Sequence, residues 1–335
     1  MPQISDPITA STGTDLHLSA PKLRREIGSR GWSNSKTMRK YSHLWFVLPG
    51  LLFFATIMVG PAIFAFFVSL TNWSGLGTDY QFIGWGNYVD AAVHWPFYRA
   101  ASHNFVIFFS ILIFQHTFGL FIAVQLNAKP RFTQFYRTVM FLPVIISLVS
   151  TGFIWTLMLS SNIGFINPVL HDMHLGFLAK NWLSDPHWAL PTVIVVIAWN
   201  SLGWAVVLYL AGLQNIPKEL QQAAQIDGAN AWQIFWRVTF PLLSPSFTSL
   251  TVLTFIGTFR AFDVVYVLTG PIGSPNFSTD VLGTLIYRNA FGGSGFNNSD
   301  LRMSFAITMA IILFLLMTAV CWAMIRVLRK REIEV

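Results

Sequence analysis

Six blocks of mostly apolar residues dominate this chain and constrain its fold more than any other feature. A helix needs about 20 consecutive apolar residues to cross a hydrocarbon core about 30 Å thick. The blocks lie at Leu44–Leu70, Asn104–Leu126, Val139–Leu159, Pro191–Leu213, Leu242–Leu268 and Ser304–Ile325. Only 10% of the residues are charged, against about 25% in a typical soluble domain. The sequence therefore predicts an all-α membrane protein with six transmembrane helices.

Prolines lie inside or at the ends of several blocks, at Pro49, Pro61, Pro143, Pro191 and Pro245. In a membrane, neighbouring helices can bond the backbone carbonyls that a proline frees. We therefore expect kinks at these positions rather than interruptions of the helices.

The basic residues indicate how the helices are oriented. If the N-terminus is cytoplasmic, sixteen of the 21 Lys and Arg residues fall in cytoplasmic segments, one (Arg260) falls inside the fifth span, and four fall in outer segments: Arg99, Lys180, Arg288 and Arg302. Cytoplasmic loops of membrane proteins carry an excess of Lys and Arg. We therefore predict that both termini are cytoplasmic. The same asymmetry accounts for the net charge of +7 without a nucleic-acid partner.

The composition divides the chain into three parts. Residues 1–41 form a polar, basic cytoplasmic tail that we expect to be disordered, because it has too few apolar residues to form a core. Residues 42–330 contain the six apolar blocks, and residues 331–335 form a short C-terminal tail. The first apolar run begins at Leu44 and is longer than the roughly 7–15 residues of a signal-peptide core, so we expect no cleavable signal.

A polar segment, residues 214–241, separates the fourth and fifth blocks and predicts two short helices in a loop. Asn215 is a candidate N-cap for the first helix, and Gly228 can end it in a left-handed conformation. Asn230 can cap the second helix, and Pro241 is expected to stop it before the fifth block. A pair of short helices between two membrane spans is typical of an element that docks on a partner. The alternative is a helix that lies on the membrane surface, but this segment has a poor apolar face and few basic residues.

The sequence of this loop resembles a known family. Ala223-Ala224-x-x-Asp227-Gly228-Ala229, followed by Phe240-Pro241-Leu242, is similar to the EAA loop in permease subunits of binding-protein-dependent ABC importers. The resemblance extends over roughly residues 40 to 330 and is greatest to the sugar-type subfamily. Two positions depart from the family pattern: Gln222 replaces the usual glutamate, and Gly270-Pro271-Ile272-Gly273 replaces the usual Gly-Gly-Pro.

The resemblance implies a type I ABC importer permease in the bacterial inner membrane. Such a subunit forms half of a translocation pathway for a sugar, an oligosaccharide or a related solute. The implied partners are a second homologous permease, a dimer of ATPase subunits, an extracytoplasmic solute-binding protein and membrane lipid. The residues expected to couple the permease to the ATPase are Glu219, Gln222, Ala223, Ala224, Asp227 and Gly228.

The chain contains no Gly-x-x-x-x-Gly-Lys-Ser/Thr phosphate loop. We therefore expect no enzymatic activity, catalytic residue, cofactor or metal in this subunit, with ATP and Mg bound by the partner ATPase. The alternatives are a secondary transporter that works alone, for which no inverted repeat is apparent, a membrane-embedded enzyme, or an ABC permease for a non-sugar cargo.

Polar residues inside the predicted spans are candidates for the substrate path, because ionisable groups in lipid usually face a cavity or a partner. Arg260 and Asp263 lie three residues apart in the predicted fifth span, where they can either pair with each other or line the path. Phe259 and Tyr266 could offer aromatic faces to a sugar. Asn200 could bond a hydroxylated substrate or, equally, a neighbouring helix. Gln115 and His116, in the second block, are expected to form bonds between helices rather than to bind a ligand.

Overall fold

The computed structural model describes residues 47–128, 133–292 and 301–330. The predicted tails, residues 1–41 and 331–335, and the start of the first apolar block lie outside the described residues. The chain divides into two compact units, Met1–Gly60 and Pro61–Val335. Of the first unit, the structure describes residues 47–60, which are helical throughout.

Four helices in the described ranges are long and apolar enough to cross a membrane: α1 (Val47–Ser69), α3 (Trp95–Ala128), α7 (Pro186–Gln214) and α13 (Met303–Arg329). Two further spans are bent pairs, α4 (Thr133–Ile145) with α5 (Leu148–Leu159) and α9 (Ala231–Leu242) with α10 (Ser244–Phe259). The shorter helices are α2 (Gly86–Val93), α6 (Ile166–Asp172), α8 (Lys218–Ile226), α11 (Asp263–Thr269) and α12 (Leu282–Phe291). The described residues contain no strand, apart from one isolated bridge between Thr71 and Phe82. The prediction of an all-α fold is confirmed, and the described helices match the six predicted spans when each bent pair is counted as one span.

The third span is interrupted, which corrects the expectation of a kink at Pro143. Helix α4 ends at Ile145, and α5 begins at Leu148 after a bend of 91°. Ser147 is extended, with φ −53° and ψ 138°. The carbonyl of Pro143 accepts a hydrogen bond of 2.7 Å from the Asn200 side chain on α7 and one of 3.3 Å from the Ile146 N–H, so a distant helix adds a bond to a carbonyl in the last turn of α4.

The fifth span also differs from the predicted continuous helix over Leu242–Leu268. Helices α9 and α10 meet at Leu243 with a bend of 60°. Helix α10 ends at Phe259, residues 260–262 are not helical, and α11 begins at Asp263. The carbonyl of Thr258 accepts a bond of 2.9 Å from Asn104 on α3, so a neighbouring helix again satisfies backbone at the break.

Helix α7 lies at the centre of the bundle. Of its most apolar window, 56% is buried, against 28% for α3 and for α13, and it contacts α3, α4, α5, α10 and α11. A side chain at Gly203 would place its first carbon 2.4 Å from the Met140 carbonyl oxygen, so α4 can approach this closely only because residue 203 is glycine. The buried residues of α7 that pack against α3, α10 and α11 include Val193, Val196, Ala205, Val206 and Tyr209.

The connections between helices define two faces of the bundle. The long-loop face comprises residues 70–94, 160–185 and 270–281, and the short-loop face comprises residues 215–217 and 227–230 together with α8. On the long-loop face, Ser304 N–H donates to the Trp73 carbonyl at 3.0 Å, and Arg302 pairs with Asp90 at 3.2 Å. These contacts join the start of α13 to the loop after α1 and to α2.

Candidate functional site

The turn between α8 and α9 has the geometry that the sequence predicts. Gly228 adopts φ +83°, a conformation that costs little only for glycine. The N–H of Ala229 donates to the carbonyl of Ala224 at 2.9 Å, and the N–H of Gly228 donates to the carbonyl of Gln225 at 3.0 Å. These bonds satisfy the last carbonyls of α8 and fix the direction in which the chain leaves it.

Asn215 does not cap α8, contrary to the prediction. It is the C-cap of α7, and its N–H donates to the carbonyls of Ala211 and Gly212, each at 3.2 Å. Helix α8 begins at Lys218, after Pro217 in the N-cap position. The backbone hydrogen bonds of α7 therefore extend to Asn215, one residue past the start of the predicted loop. Helix α8 starts after Pro217 and not after Asn215.

Asn230 caps α9 as predicted, in a reciprocal pair of bonds with Gln233. The Gln233 N–H donates to Asn230 Oδ1 at 2.9 Å, and the Asn230 N–H donates to Gln233 Oε1 at 2.9 Å. The predicted stop at Pro241 is wrong, because α9 continues to Leu242. A π-helical turn over Phe235–Thr239 precedes the proline, and such a turn changes the bonding register where proline has no N–H to donate.

Helix α8 has no buried residue. Glu219, Gln222, Ala223, Asp227 and Gly228 are exposed, and Ala224 is half-buried. Apolar side chains are exposed beside them: Ile226 is 86% exposed and Trp232, on α9, is 70% exposed. A short helix that buries no side chain in the core of its own protein, and that exposes apolar and small side chains, is suited to contact another protein.

Arg260 and Asp263 do not pair with each other, which rules out one of the two alternatives that the sequence left open. Both side chains are exposed, and neither belongs to an ion pair among the described residues. The i, i+3 argument requires a continuous helix, whereas residues 260–262 interrupt it. Both charges are therefore available to a ligand or to another subunit.

Phe259 is a core residue, which corrects its assignment to the substrate path. It is 1% exposed, and its ring lies 5.0 Å from that of Phe105 and 4.4 Å from that of Phe255. Tyr266, in contrast, belongs to a partly exposed aromatic cluster that contains Phe262, Tyr266, Tyr287 and Phe291. The centroids of neighbouring rings in this cluster are 5.1–5.2 Å apart. Phe291 is 59% exposed.

Three members of the aromatic cluster, Phe262, Tyr287 and Phe291, were not identified from the sequence. Tyr287 and Phe291 lie on α12, separated from Tyr266 by the loop that follows α11. Their i, i+4 spacing indicates only that they share a face of one helix. Their contact with Phe262 and Tyr266 depends on how α12 folds back against α11, which local pattern does not reveal.

Asn200 bonds a neighbouring helix, one of the two alternatives that the sequence left open. It is buried and donates to the Pro143 carbonyl, so its amide is bonded to the backbone next to the break between α4 and α5. The prediction for the second span is confirmed as well. His116 contacts the Tyr209 hydroxyl and Thr251, and Gln115 accepts a bond of 2.5 Å from Thr254.

A buried ion cluster on the long-loop face was not predicted. Asp280 is fully buried and accepts two bonds from Arg288, at 3.1 and 3.0 Å, and one from Thr284 at 2.9 Å. Arg99 approaches the same carboxylate at 3.7 Å, and both guanidinium groups lie over the ring of Phe277, at 4.6 and 5.3 Å. The cluster fixes the 270–281 loop against α3 and α12.

Comparisons with known proteins agree with this architecture. Residues 115–333 match the family described as the inner membrane component of binding-protein-dependent transport systems. The lactose transport system permease protein LacF of Rhizobium radiobacter is 33% identical over 94% of this chain and 99% of its own length. The multiple sugar-binding transport system permease protein MsmF of Streptococcus mutans is 30% identical over 89% of this chain and 99% of its own.

The fold is similar to a chain of a bacterial ABC transporter involved in the import of the acidic polysaccharide alginate. The TM-score is 0.74 at 23% identity, and the match covers 89% of this chain and 98% of that chain. With the bundle, the exposed loop helix and the family match in agreement, the chain belongs to the inner-membrane permease components of binding-protein-dependent ABC transport systems.

Proposed function

We propose that this permease forms half of the translocation pathway for a sugar, an oligosaccharide or a related solute. The observation that carries the proposal is α8, an exposed helix joined by short connections to α7, the most buried helix of the bundle. Movement of α8 is transmitted directly to α7 and α9. The named cargoes of LacF and MsmF, lactose and multiple sugars, favour a carbohydrate over other solutes.

In this proposal, the short-loop face lies in the cytoplasm and the long-loop face lies outside. Partner ATPase subunits bind and hydrolyse ATP, and they contact Glu219, Gln222, Ala223, Ala224, Asp227 and Gly228. Because Gln222 keeps hydrogen bonding without the charge of glutamate, contact at this position does not depend on an ion pair. A binding protein delivers the solute to the long-loop face.

The proposed substrate path in this subunit passes the break after α10. Arg260 and Asp263 are exposed there, and the aromatic cluster begins with Phe262 between them. Sugars combine hydroxyl groups, which bond charged side chains, with C–H faces, which pack on aromatic rings. Phe259 and Asn200 take no part in this path, because one is buried in the core and the other bonds Pro143.

The test is to purify the chain from mild detergent together with the proteins that co-purify with it. We expect an ATPase with a phosphate loop and a second six-span permease. ATPase activity should then rise when a sugar-loaded binding protein is added. Stimulation by a non-sugar solute alone would contradict the carbohydrate cargo, and transport by this chain alone, driven by an ion gradient, would overturn the whole proposal.

A further inference from the structure

An apolar groove lies between α5 and α7, and its lining contains none of the residues assigned to the proposed path. It has a volume of about 240 Å³ and is lined by Trp155, Leu159, Ile166, Trp182, Trp188, Pro191, Thr192, Val195 and Val196. Trp188, Thr192 and Val195 follow the i, i+4, i+7 spacing of one face of α7. The seven steps from Trp188 to Val195 rise about 10 Å along the helix axis, so the groove runs in the direction in which α7 crosses the membrane.

The groove offers no free polar group to a sugar. The Thr192 hydroxyl already donates to the carbonyls of Trp188 and Trp182, at 2.7 and 3.2 Å. The indole N–H of Trp182 donates to Asn167 at 2.8 Å. A hydroxylated solute would therefore lose its bonds to water without replacing them, whereas a hydrocarbon chain would lose none.

The groove lies near one end of a membrane span, and charged side chains stand beside it. Tryptophan is enriched where a membrane meets water, and Trp188 lies in the first turn of α7. The Lys180 ammonium lies 5.9 Å from the centre of the Trp188 ring. Asp185 caps α7, and the N–H of His187 lowers the pKa of its carboxyl. The surroundings are thus hydrocarbon-like in the groove and charged at its end.

We propose that this groove binds a phospholipid, with an acyl chain between α5 and α7 and the headgroup phosphate at Lys180. The apolar lining and the direction of the groove fit an acyl chain, and the Lys180 ammonium, which shares this end of the groove with the Asp185 carboxylate, offers a cation to a phosphate. Val195 is 57% exposed and Trp188 is 40% exposed, so the groove is open along its side for a chain to enter from the bilayer. This site is independent of the proposed cargo.

Native mass spectrometry of the full chain, purified with its co-purifying subunits, tests the proposal. The delipidated protein is titrated with phosphatidylglycerol and with a diacylglycerol of the same acyl chains. We expect one phosphatidylglycerol to be retained per chain. Diacylglycerol, and phosphatidylglycerol with Lys180→Gln, should each bind about fivefold more weakly, the factor that corresponds to one lysine near a lipid headgroup.

Val195→Trp should fill the groove and abolish retention. Val106→Trp is the matched control, because Val106 is also an exposed valine, 47% exposed, on another span. Retention that Val195→Trp does not change would identify an adventitious lipid and overturn the proposal. Retention by the isolated chain but not by the assembled transporter would also overturn it, and would assign the groove to a subunit interface. If Val195→Trp does not fold, Lys180→Gln still tests the proposal. Equal affinity for phosphatidylglycerol with and without Lys180 would contradict the headgroup site.

Discussion

At the scale of single residues, the most consequential side chain is Asp280. A fully buried carboxylate is tolerated only where charges and hydrogen bonds replace its lost water. Arg288 supplies two bonds and Thr284 a third, and Arg99 adds a second positive charge. The arrangement holds the 270–281 loop next to the aromatic cluster, since Tyr287 lies one residue before Arg288 on α12.

Replacing Asp280 by alanine is expected to destabilise the protein by about 3 kcal/mol, because it leaves partly buried guanidinium groups without their counter-ion. This is at the low end for a buried pair, since Arg99 and Arg288 keep some exposure and solvent screens them. Thermal unfolding in detergent measures the change. The control is Asp90→Ala, which breaks the exposed pair with Arg302 and should cost less than about 1 kcal/mol. Equal effects of the two variants would show that the Asp280 cluster does not stabilise the fold.

At the scale of secondary-structure elements, the α8–α9 turn depends on one backbone conformation. A side chain added at Gly228 would meet no atom within 4 Å, but the residue has φ +83°. Any effect of substitution there on the fold of this chain therefore arises from the backbone and not from a steric clash within the chain. A left-handed conformation costs a residue with a side chain about 1–2 kcal/mol.

Gly228→Val is expected to change the angle between α8 and α9 and to separate ATP hydrolysis from uptake, while the chain still inserts in the membrane. The measurement compares solute uptake with ATPase activity in the purified transporter. Gly50→Val is the matched control, because Gly50 also has open space around it but lies in a helical segment without a positive φ. Uptake and ATPase activity that both remain normal in Gly228→Val would contradict the proposed docking role of α8.

At the scale of the whole molecule, Phe259 and Asp263 lie four residues apart, and we expect substitution of the first to affect stability and substitution of the second to affect transport. Phe259→Ala removes a buried ring and should cost about 3–5 kcal/mol, lowering the amount of folded protein. Asp263→Ala removes an exposed carboxylate that has no ion-pair partner among the described residues, so stability should change by less than about 0.5 kcal/mol. If Asp263 lines the path, uptake per folded transporter should fall in Asp263→Ala. Normal uptake in this variant, measured beside its unfolding temperature, would remove Asp263 from the path.

The class of the protein and its loop were predictable from the sequence because their causes are local. A run of about 20 apolar residues is long enough to cross a membrane, and this length can be read without knowing the rest of the fold. Gly228 and Asn230 act on backbone groups within four residues of themselves, and the structure shows both in their predicted conformations. The resemblance of the same segment to a family motif led directly to the permease family, which the comparisons confirm.

The interruptions of the spans and the composition of the polar sites were decided only by the tertiary structure. At the break that follows Pro143, the Pro143 carbonyl accepts from the nearby Ile146 N–H and also from Asn200, which lies 57 residues away along the chain. Of the two alternatives open for Arg260 and Asp263, the pair does not form, because their helix ends between them, near the Thr258 carbonyl that Asn104 of α3 bonds. Asp280 gained its partners from α3 and α12. Hydrophobic length and capping are properties of a short stretch of residues, but the end of a helix within a bundle and the counter-ion of a buried charge depend on which distant groups the fold brings within bonding distance.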